Sequence, residues 1–82
     1  SVTLSCRGSG FIVDYLHIWW YRQSAGGSLE WVSFINFDSS VSKSGPAMEG
    51  RALVSRDNSR SESSLSLRAL GLRDSARYFC AV

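Results

Sequence analysis

The stretch HIWWYRQ, residues 17–23, places two tryptophans side by side in a chain of 82 residues. Successive side chains on a β-strand point to opposite faces, so a strand here directs Trp19 and Trp20 to opposite sides. Ile18 then shares a face with Trp20, and Tyr21 shares the other face with Trp19. The stretch therefore predicts a strand with large apolar side chains on both of its faces.

Similar short strands are expected along the rest of the chain, where apolar and polar residues alternate or runs of apolar residues occur between turn signals. The expected strands are SVTLSC (1–6), LEWVSFI (29–35), RALVSR (51–56), SLSLRAL (64–70) and ARYFCAV (76–82). Turns are expected at SAGGS (24–28) and DNSRS (57–61), a loop or weak edge strand at 36–46, and a short helical crossing turn at GLRDS (71–75). Many short strands separated by turns predict an all-β sandwich.

The charge distribution argues against two classes of partner. Nine basic residues against seven acidic ones give a net charge of +2, and the basic residues are scattered without a run of like charge. Nucleic-acid and membrane-surface binding therefore have little support. No stretch approaches the roughly 20 apolar residues that a membrane span requires.

The two cysteines, Cys6 and Cys80, lie near opposite ends of the chain. They are too far apart in sequence for a redox or zinc pair. One disulfide closing almost the whole chain is favoured, with two unpaired buried thiols as the alternative. The loop-entropy model assigns such a closure about 4–5 kcal/mol. A disulfide also indicates a location outside the cell or on its surface.

Widely spaced residues carry a resemblance to a known family. Cys6, Trp20 and Cys80 resemble the Cys…Trp…Cys framework of immunoglobulin domains. DSARYFC, from Asp74 to Cys80, is similar to the D-x-A-x-Y-x-C pattern of variable-type, or V-set, domains. SCRGSGF, LEWVSFI and GRALVSRDNSRSESSLSLRAL resemble antibody heavy-chain variable domains. WYRQ and DSARYFCAV are more similar to T-cell-receptor segments, a mixture that resembles the antibody-like mu T-cell-receptor chains.

The resemblance implies an immunoglobulin V-type two-sheet Greek-key sandwich, a single domain over residues 1–82 that lacks its first and last strands and its third hypervariable loop. It implies that Trp20 packs on the Cys6–Cys80 disulfide and that Arg51 pairs with Asp74. It also implies that the hydroxyl of Tyr78 bonds an upstream backbone group, as in a tyrosine corner.

Further expectations concern the filling of the core and the surroundings of two arginines. Arg22 shares the inner face with Trp20, and a buried arginine needs a carboxylate, for which Asp74 and Glu30 are the candidates. Ser63 stands where the resemblance implies a larger apolar side chain. Arg56 is interpreted as a solvated charge. Leu53 or Met48 is expected to refill the space that small core residues leave.

The outward side chains of the central strands predict an association surface. They are Trp19, Tyr21, Gln23, Leu29, Trp31 and Phe79. Aromatic side chains with few charges suit the core of a protein interface. The resemblance implies a second V domain here, light-chain-like or from a T-cell receptor, with Gln23 bonding its counterpart. The alternative is an unpaired domain whose own third loop covers the face: Tyr21 favours this arrangement, whereas Leu29 and Trp31 favour pairing.

The resemblance places binding of a protein or peptide antigen on loops at one end of the sandwich. The candidate contact residues are Asp14, Tyr15, Leu16 and His17 in the first loop and Asn36, Phe37, Asp38 and Ser39 in the second. Tyrosine, serine, asparagine and aspartate at loop tips are typical of recognition surfaces. The alternative is that the third loop supplies most of the affinity.

Catalysis and metal binding are not expected. His17 is the only histidine, and a disulfide would occupy both cysteines, so a zinc site lacks ligands. The serines lack a general base in a recognisable pattern. The chain is therefore expected to be non-enzymatic and without a cofactor. The expected function is that of an extracellular antigen-recognition domain, secreted or in a receptor ectodomain, with a non-rearranging V-set adhesion or co-receptor domain as the alternative.

Overall fold

Alternating side chains form short strands throughout the computed structural model, which describes residues 1–7 and 16–82. The strands of this part are β1 (Val2–Arg7), β2 (Ile18–Gln23), β3 (Leu29–Ile35), β4 (Ser42–Ser44), β5 (Ala52–Asp57), β6 (Glu62–Leu67) and β7 (Arg77–Ala81). Two single 3₁₀ turns, Asn58–Arg60 and Leu72–Asp74, connect β5 to β6 and β6 to β7. Within these residues no helix is long and apolar enough to cross a bilayer.

The strands form two antiparallel sheets. One has the order β1-β6-β5 and the other the order β4-β3-β2-β7. The chain passes from one sheet to the other between β1 and β2, between β4 and β5, and between β6 and β7. The predicted all-β, two-sheet sandwich of V type is confirmed.

The core lies between the sheets, and the described part of the chain contributes eight buried apolar side chains to it. They are Ile18, Trp20, Val32, Ile35, Met48, Val54, Leu65 and Leu67. The predicted disulfide between Cys6 and Cys80 is confirmed, with a Cα–Cα distance of 6.4 Å. It joins β1 to β7 and so links the two sheets. Trp20 lies directly opposite Cys80 in the β2–β7 ladder, which places the indole beside the bridge.

At the lower end of the sandwich one expected strand boundary is corrected, and the choice between two expected core residues is decided. The strand expected over 64–70 ends at Leu67, because the chain turns at Ala69, which has a left-handed φ of 54°. The backbone N–H of Arg68 donates to the carbonyl of Arg51 just before that turn. Of the two residues expected to refill the core, Met48 is fully buried, whereas Leu53 is 70% exposed because it points outward from β5.

Candidate functional site

The outward side of the four-stranded sheet forms an aromatic face. Strand β2 alternates as expected: Ile18, Trp20 and Arg22 are buried, and Trp19 and Tyr21 point outward. We define the aromatic face by Trp19, Tyr21, Gln23, Leu29, Trp31, Phe34 and Phe79. Leu29 is 57% exposed and Phe79 42%, so this apolar surface is open to solvent.

A β-bulge adds Phe34 to this face. Trp20 lies opposite Ser33 and Tyr21 lies opposite Trp31, so Val32 is an extra residue on β3. Val32 and Ser33 are both buried, and the alternation restarts beyond them. Strict alternation from Trp31 would direct Ser33 outward and Phe34 inward, whereas the structure buries Ser33 and turns Phe34 outward. A serine that faces solvent and a phenylalanine that faces the core are ordinary in a strand, so these residues contained no sign of the bulge.

The aromatic rings continue from this face to the loop end of the sandwich. Ring centroids are 6.4 Å apart for Trp31 and Trp19, and 4.4 Å apart for Trp19 and Phe34. His17 follows, 5.6 Å from Phe34, and then Phe37 at 6.0 Å from His17. These separations are those of interacting aromatic pairs. The expected partner face is therefore continuous, through Phe34, with His17 and Phe37, which are two of the expected antigen-binding residues.

The second loop is stabilised by its own side chains. Asn36 Oδ1 accepts the backbone N–H of Val41 at 3.0 Å, and its Nδ2 donates to Ser40 Oγ at 2.9 Å. Asp38 Oδ1 accepts the N–H of Ser40 at 3.0 Å, and hydrogen bonds from Ser40 lower the pKa of this carboxyl. Asn36 therefore acts within the loop and is half-buried, whereas Phe37, Asp38 and Ser39 are exposed at its tip.

Arg56 connects the bases of the two loops. Its Nη1 donates to the carbonyl oxygen of Leu16 and, at 2.9 Å, to that of Asn36. Its Nε donates to Asn58 Oδ1 at 2.6 Å, and Asn58 Nδ2 donates to the carbonyl of Phe37 at 3.1 Å. The interpretation of Arg56 as a solvated charge is therefore wrong. The planar guanidinium can serve several acceptors at once, which suits it to this position.

The structure describes two of the four first-loop candidates. Asp14 and Tyr15 lie outside the described residues. Leu16 is half-buried and offers its carbonyl to Arg56, whereas His17 is exposed at the loop end. Of the first-loop candidates in the described ranges, His17 therefore has the more accessible side chain.

An ion-pair network lies at the opposite end of the sandwich. Both candidate carboxylates bind Arg22: Nε lies 2.6 Å from Glu30 Oε1 and Nη1 lies 2.8 Å from Asp74 Oδ1. Arg51 Nη1 lies 2.9 Å from Asp74 Oδ2. The hydroxyl of Tyr78 donates to the carbonyl of Asp74 at 2.7 Å, which gives the tyrosine-corner geometry. This network fixes the crossing turn at Leu72–Asp74 to the four-stranded sheet. It lies at the end of the sandwich opposite the candidate binding residues.

Asp74 is ionised in this network. The hydrogen bond from Arg51, then those from the backbone N–H of Gly71 and from Arg22, hold its pKa well below the ordinary value, although burial opposes this effect. The carboxylate is thus an acceptor for three donor groups inside the protein. Its role is structural, because its oxygens are occupied by these contacts.

Two further observations concern the expected Gln23 contact and the metal ligands. Gln23 Nε2 donates to the carbonyl of Gly27 at 3.2 Å, so this amide braces its own hairpin turn. Residues 1–7 and 16–82 contain no group of three or more histidine, cysteine, aspartate or glutamate side chains placed to hold a metal ion. The exposed surface of the candidate site consists of aromatic side chains and of polar groups at the tip of the second loop.

A model of the immunoglobulin V-set domain matches residues 1–82. Domains of this family are binding domains that serve antigen or cell-surface recognition, and they are typically extracellular. The disulfide between the sheets, the indole of Trp20 beside it and the Tyr78 corner agree with that match. The chain therefore belongs to the immunoglobulin V-set domain family.

Proposed function

We propose that this chain is the antigen-recognition variable domain of a heavy-chain-like adaptive immune receptor. It acts outside the cell, as part of a secreted protein or of a receptor ectodomain, and by binding alone. The arrangement around Arg56 carries the proposal. One guanidinium connects the bases of both loops, and the side chains beyond it, His17 and Phe37, remain exposed. Binding residues on loops that a rigid scaffold positions are typical of recognition domains.

The surface favours a protein or peptide as the antigen. His17 and Phe37 provide rigid aromatic area, and Asp38 and Ser39 provide adaptable hydrogen-bonding groups beside it. The exposed rings of His17 and Phe37 continue into the loop tip, so the contact region is one continuous strip. A strip of this shape complements an extended partner. Tyr15 and Asp14 complete the proposed contact set in the first loop.

We also assign a second V domain to the aromatic face. Trp19, Leu29 and Phe79 are each more than a third exposed on one side of one sheet. A contiguous apolar patch of this kind marks an association site in a soluble protein. Its composition, rich in tryptophan, tyrosine and phenylalanine, is that of interface centres. Coverage by the domain's own third loop is the competing arrangement.

Sequencing transcripts of the parent gene from many single cells tests the proposal. A rearranging receptor gives one constant sequence up to the region of Val82 and a diverse sequence immediately downstream. We expect that diversity. A single invariant downstream sequence in all cells would instead support a non-rearranging adhesion or co-receptor domain and would contradict the proposal.

A further inference from the structure

The chain contains two asparagines, and they differ in the residue that follows each of them. Asn58 precedes Ser59, whereas Asn36 precedes Phe37. An asparagine loses its side-chain amide when the next backbone nitrogen attacks its Cγ, and a bulky following side chain hinders this attack. Asn58 is therefore the more reactive asparagine of the open chain, and it lies in the turn between β5 and β6.

The folded protein holds both polar atoms of the Asn58 amide. The Oδ1 atom accepts Arg56 Nε at 2.6 Å, and Nδ2 donates to the carbonyl oxygen of Phe37 at 3.1 Å. The residue is also half-buried. The carbon that would be attacked therefore has a fixed position, between Arg56 and the second loop.

The attacking group is held as well. The peptide unit between Asn58 and Ser59 contains the nitrogen that would attack, and both of its polar atoms are hydrogen-bonded. The Ser59 N–H donates to Asp57 Oδ1 at 3.2 Å, and the Asn58 carbonyl accepts the N–H of Ser61 at 3.2 Å. Attack requires this peptide unit to rotate out of the narrow ψ range of a 3₁₀ turn. Four hydrogen bonds therefore oppose the reaction.

We infer that Asn58 is a deamidation site, that its contact with Arg56 delays the reaction, and that conversion loosens the second loop. The Ser59 nitrogen gives up its proton and bonds to Cγ, the bond from Cγ to Nδ2 breaks, and ammonia leaves. Water then opens the succinimide ring to aspartate or, with the chain rerouted through Cγ, to isoaspartate. The inference concerns the order of the loop and not its ligand, so its failure would leave the proposed function standing.

The product does not fit the contacts of the amide. An ionised carboxylate only accepts hydrogen bonds, so it cannot donate to the carbonyl oxygen of Phe37 as Nδ2 does. It also attracts the Arg56 guanidinium more strongly than an amide does. The carboxylate would then compete for Arg56 with the carbonyls of Leu16 and Asn36. Both effects weaken the base of the second loop.

Peptide mapping by mass spectrometry tests the protection of Asn58. The folded chain, its Arg56→Lys variant and a synthetic peptide of residues 54–62 are incubated at neutral pH, below the unfolding temperature. We expect conversion in the folded chain to be at least about 30-fold slower than in the peptide, since several hydrogen bonds must break first. The Arg56→Lys variant should convert roughly 5- to 30-fold faster than the wild type.

The matched control is Arg60→Lys, because Arg60 is exposed on the same turn. This variant should convert at the wild-type rate. Equal rates in the wild type and in Arg56→Lys, or conversion at Asn36 in place of Asn58, would overturn the inference. A folded chain that converts as fast as the peptide would overturn it too.

The variant Asn58→Asp tests the effect on the loop, since it supplies one product directly. Hydrogen exchange of the Asn36 and Val41 amides should become roughly 5- to 30-fold faster, while tryptophan fluorescence shows that the domain is folded. Arg60→Gln makes the same change in net charge on the same turn and should leave this exchange unchanged. Wild-type exchange rates in the Asn58→Asp protein would overturn the inference.

Discussion

The indole Nε1 of Trp20 donates a hydrogen bond to Ser63 Oγ, 3.2 Å away inside the core. Ser63 in turn donates to the carbonyl oxygen of Ser55 at 2.8 Å. Trp20 belongs to the four-stranded sheet and Ser63 to the three-stranded one, so this bond joins the sheets as the disulfide does. A larger apolar side chain at position 63 would fill more volume but would leave the indole N–H without this acceptor.

Replacing Ser63 with alanine should therefore destabilise the domain. An unsatisfied buried donor costs about 1–3 kcal/mol, and we expect the free energy of unfolding to fall by that amount. Urea unfolding followed by tryptophan fluorescence measures it. The control is Ser64→Ala, one residue along β6 on the opposite face, which should change the stability by less than about 0.5 kcal/mol. Equal effects of the two substitutions would contradict this assignment.

Asp74 should make the stability depend on pH in the acid range. Its folded pKa lies below its unfolded pKa, so the stabilisation is fully present above the unfolded value. It is lost as the pH falls toward the folded value, because the unfolded chain binds the proton more readily. We expect stability to decline below about pH 5.

Asp74→Asn should flatten that decline. It should also lower the stability at neutral pH by about 3–5 kcal/mol, because Arg22 is left buried without this counter-charge. Chemical denaturation at several pH values between neutral and acid checks both effects. Glu49→Gln removes an exposed carboxylate and is the comparison. An unchanged acid dependence in the Asp74 variant would argue against the network as its source.

Arg56→Lys should loosen the second loop without unfolding the domain. Lysine cannot bind the Leu16 and Asn36 carbonyls and Asn58 in one planar fork. Losing about 1–2 kcal/mol of local stability makes amide hydrogen exchange roughly 5- to 30-fold faster. The informative amides are those of Asn36 and Val41, which are hydrogen-bonded across the loop. Arg60→Lys, on the exposed turn after β5, should leave their exchange unchanged.

Gly45→Ala should destabilise the β4 edge beside Trp31. A Cβ at this position would meet the carbonyl oxygen of Trp31, because the Gly45 backbone packs directly against that residue and its N–H donates to Val32. Overpacking of this kind costs about 1–3 kcal/mol.

Gly71→Ala is the matched control for that prediction, since an added Cβ there would meet no atom within 4 Å. It should be neutral or stabilise the domain by about 0.4–1 kcal/mol. Thermal unfolding of the two variants beside the wild type gives the comparison. A Gly45→Ala protein as stable as Gly71→Ala would show that the strand moves aside at little cost.

The elements that local patterns determine were predictable. Alternation located β2 and assigned its two tryptophans to opposite faces. Two cysteines near the chain ends predicted the bridge, GLRDS predicted the crossing turn, and ARYFCAV predicted the last strand. These features depend on the period of one strand or on a short motif, and such information is contained in neighbouring residues.

The tertiary structure alone decided three features, two at the candidate site and one in the core. Phe34 joins the aromatic face because Val32 bulges, and a bulge is a property of the pairing between two strands. Arg56 binds two loops because the fold brings Leu16 and Asn36, 40 and 20 residues away in sequence, within reach of one side chain. Ser63 accepts the Trp20 N–H only because the two sheets face each other. The sequence by itself therefore determined which residues form strands and which face most of them take. Contacts between residues far apart in the chain depend on the packed geometry, which no local period encodes.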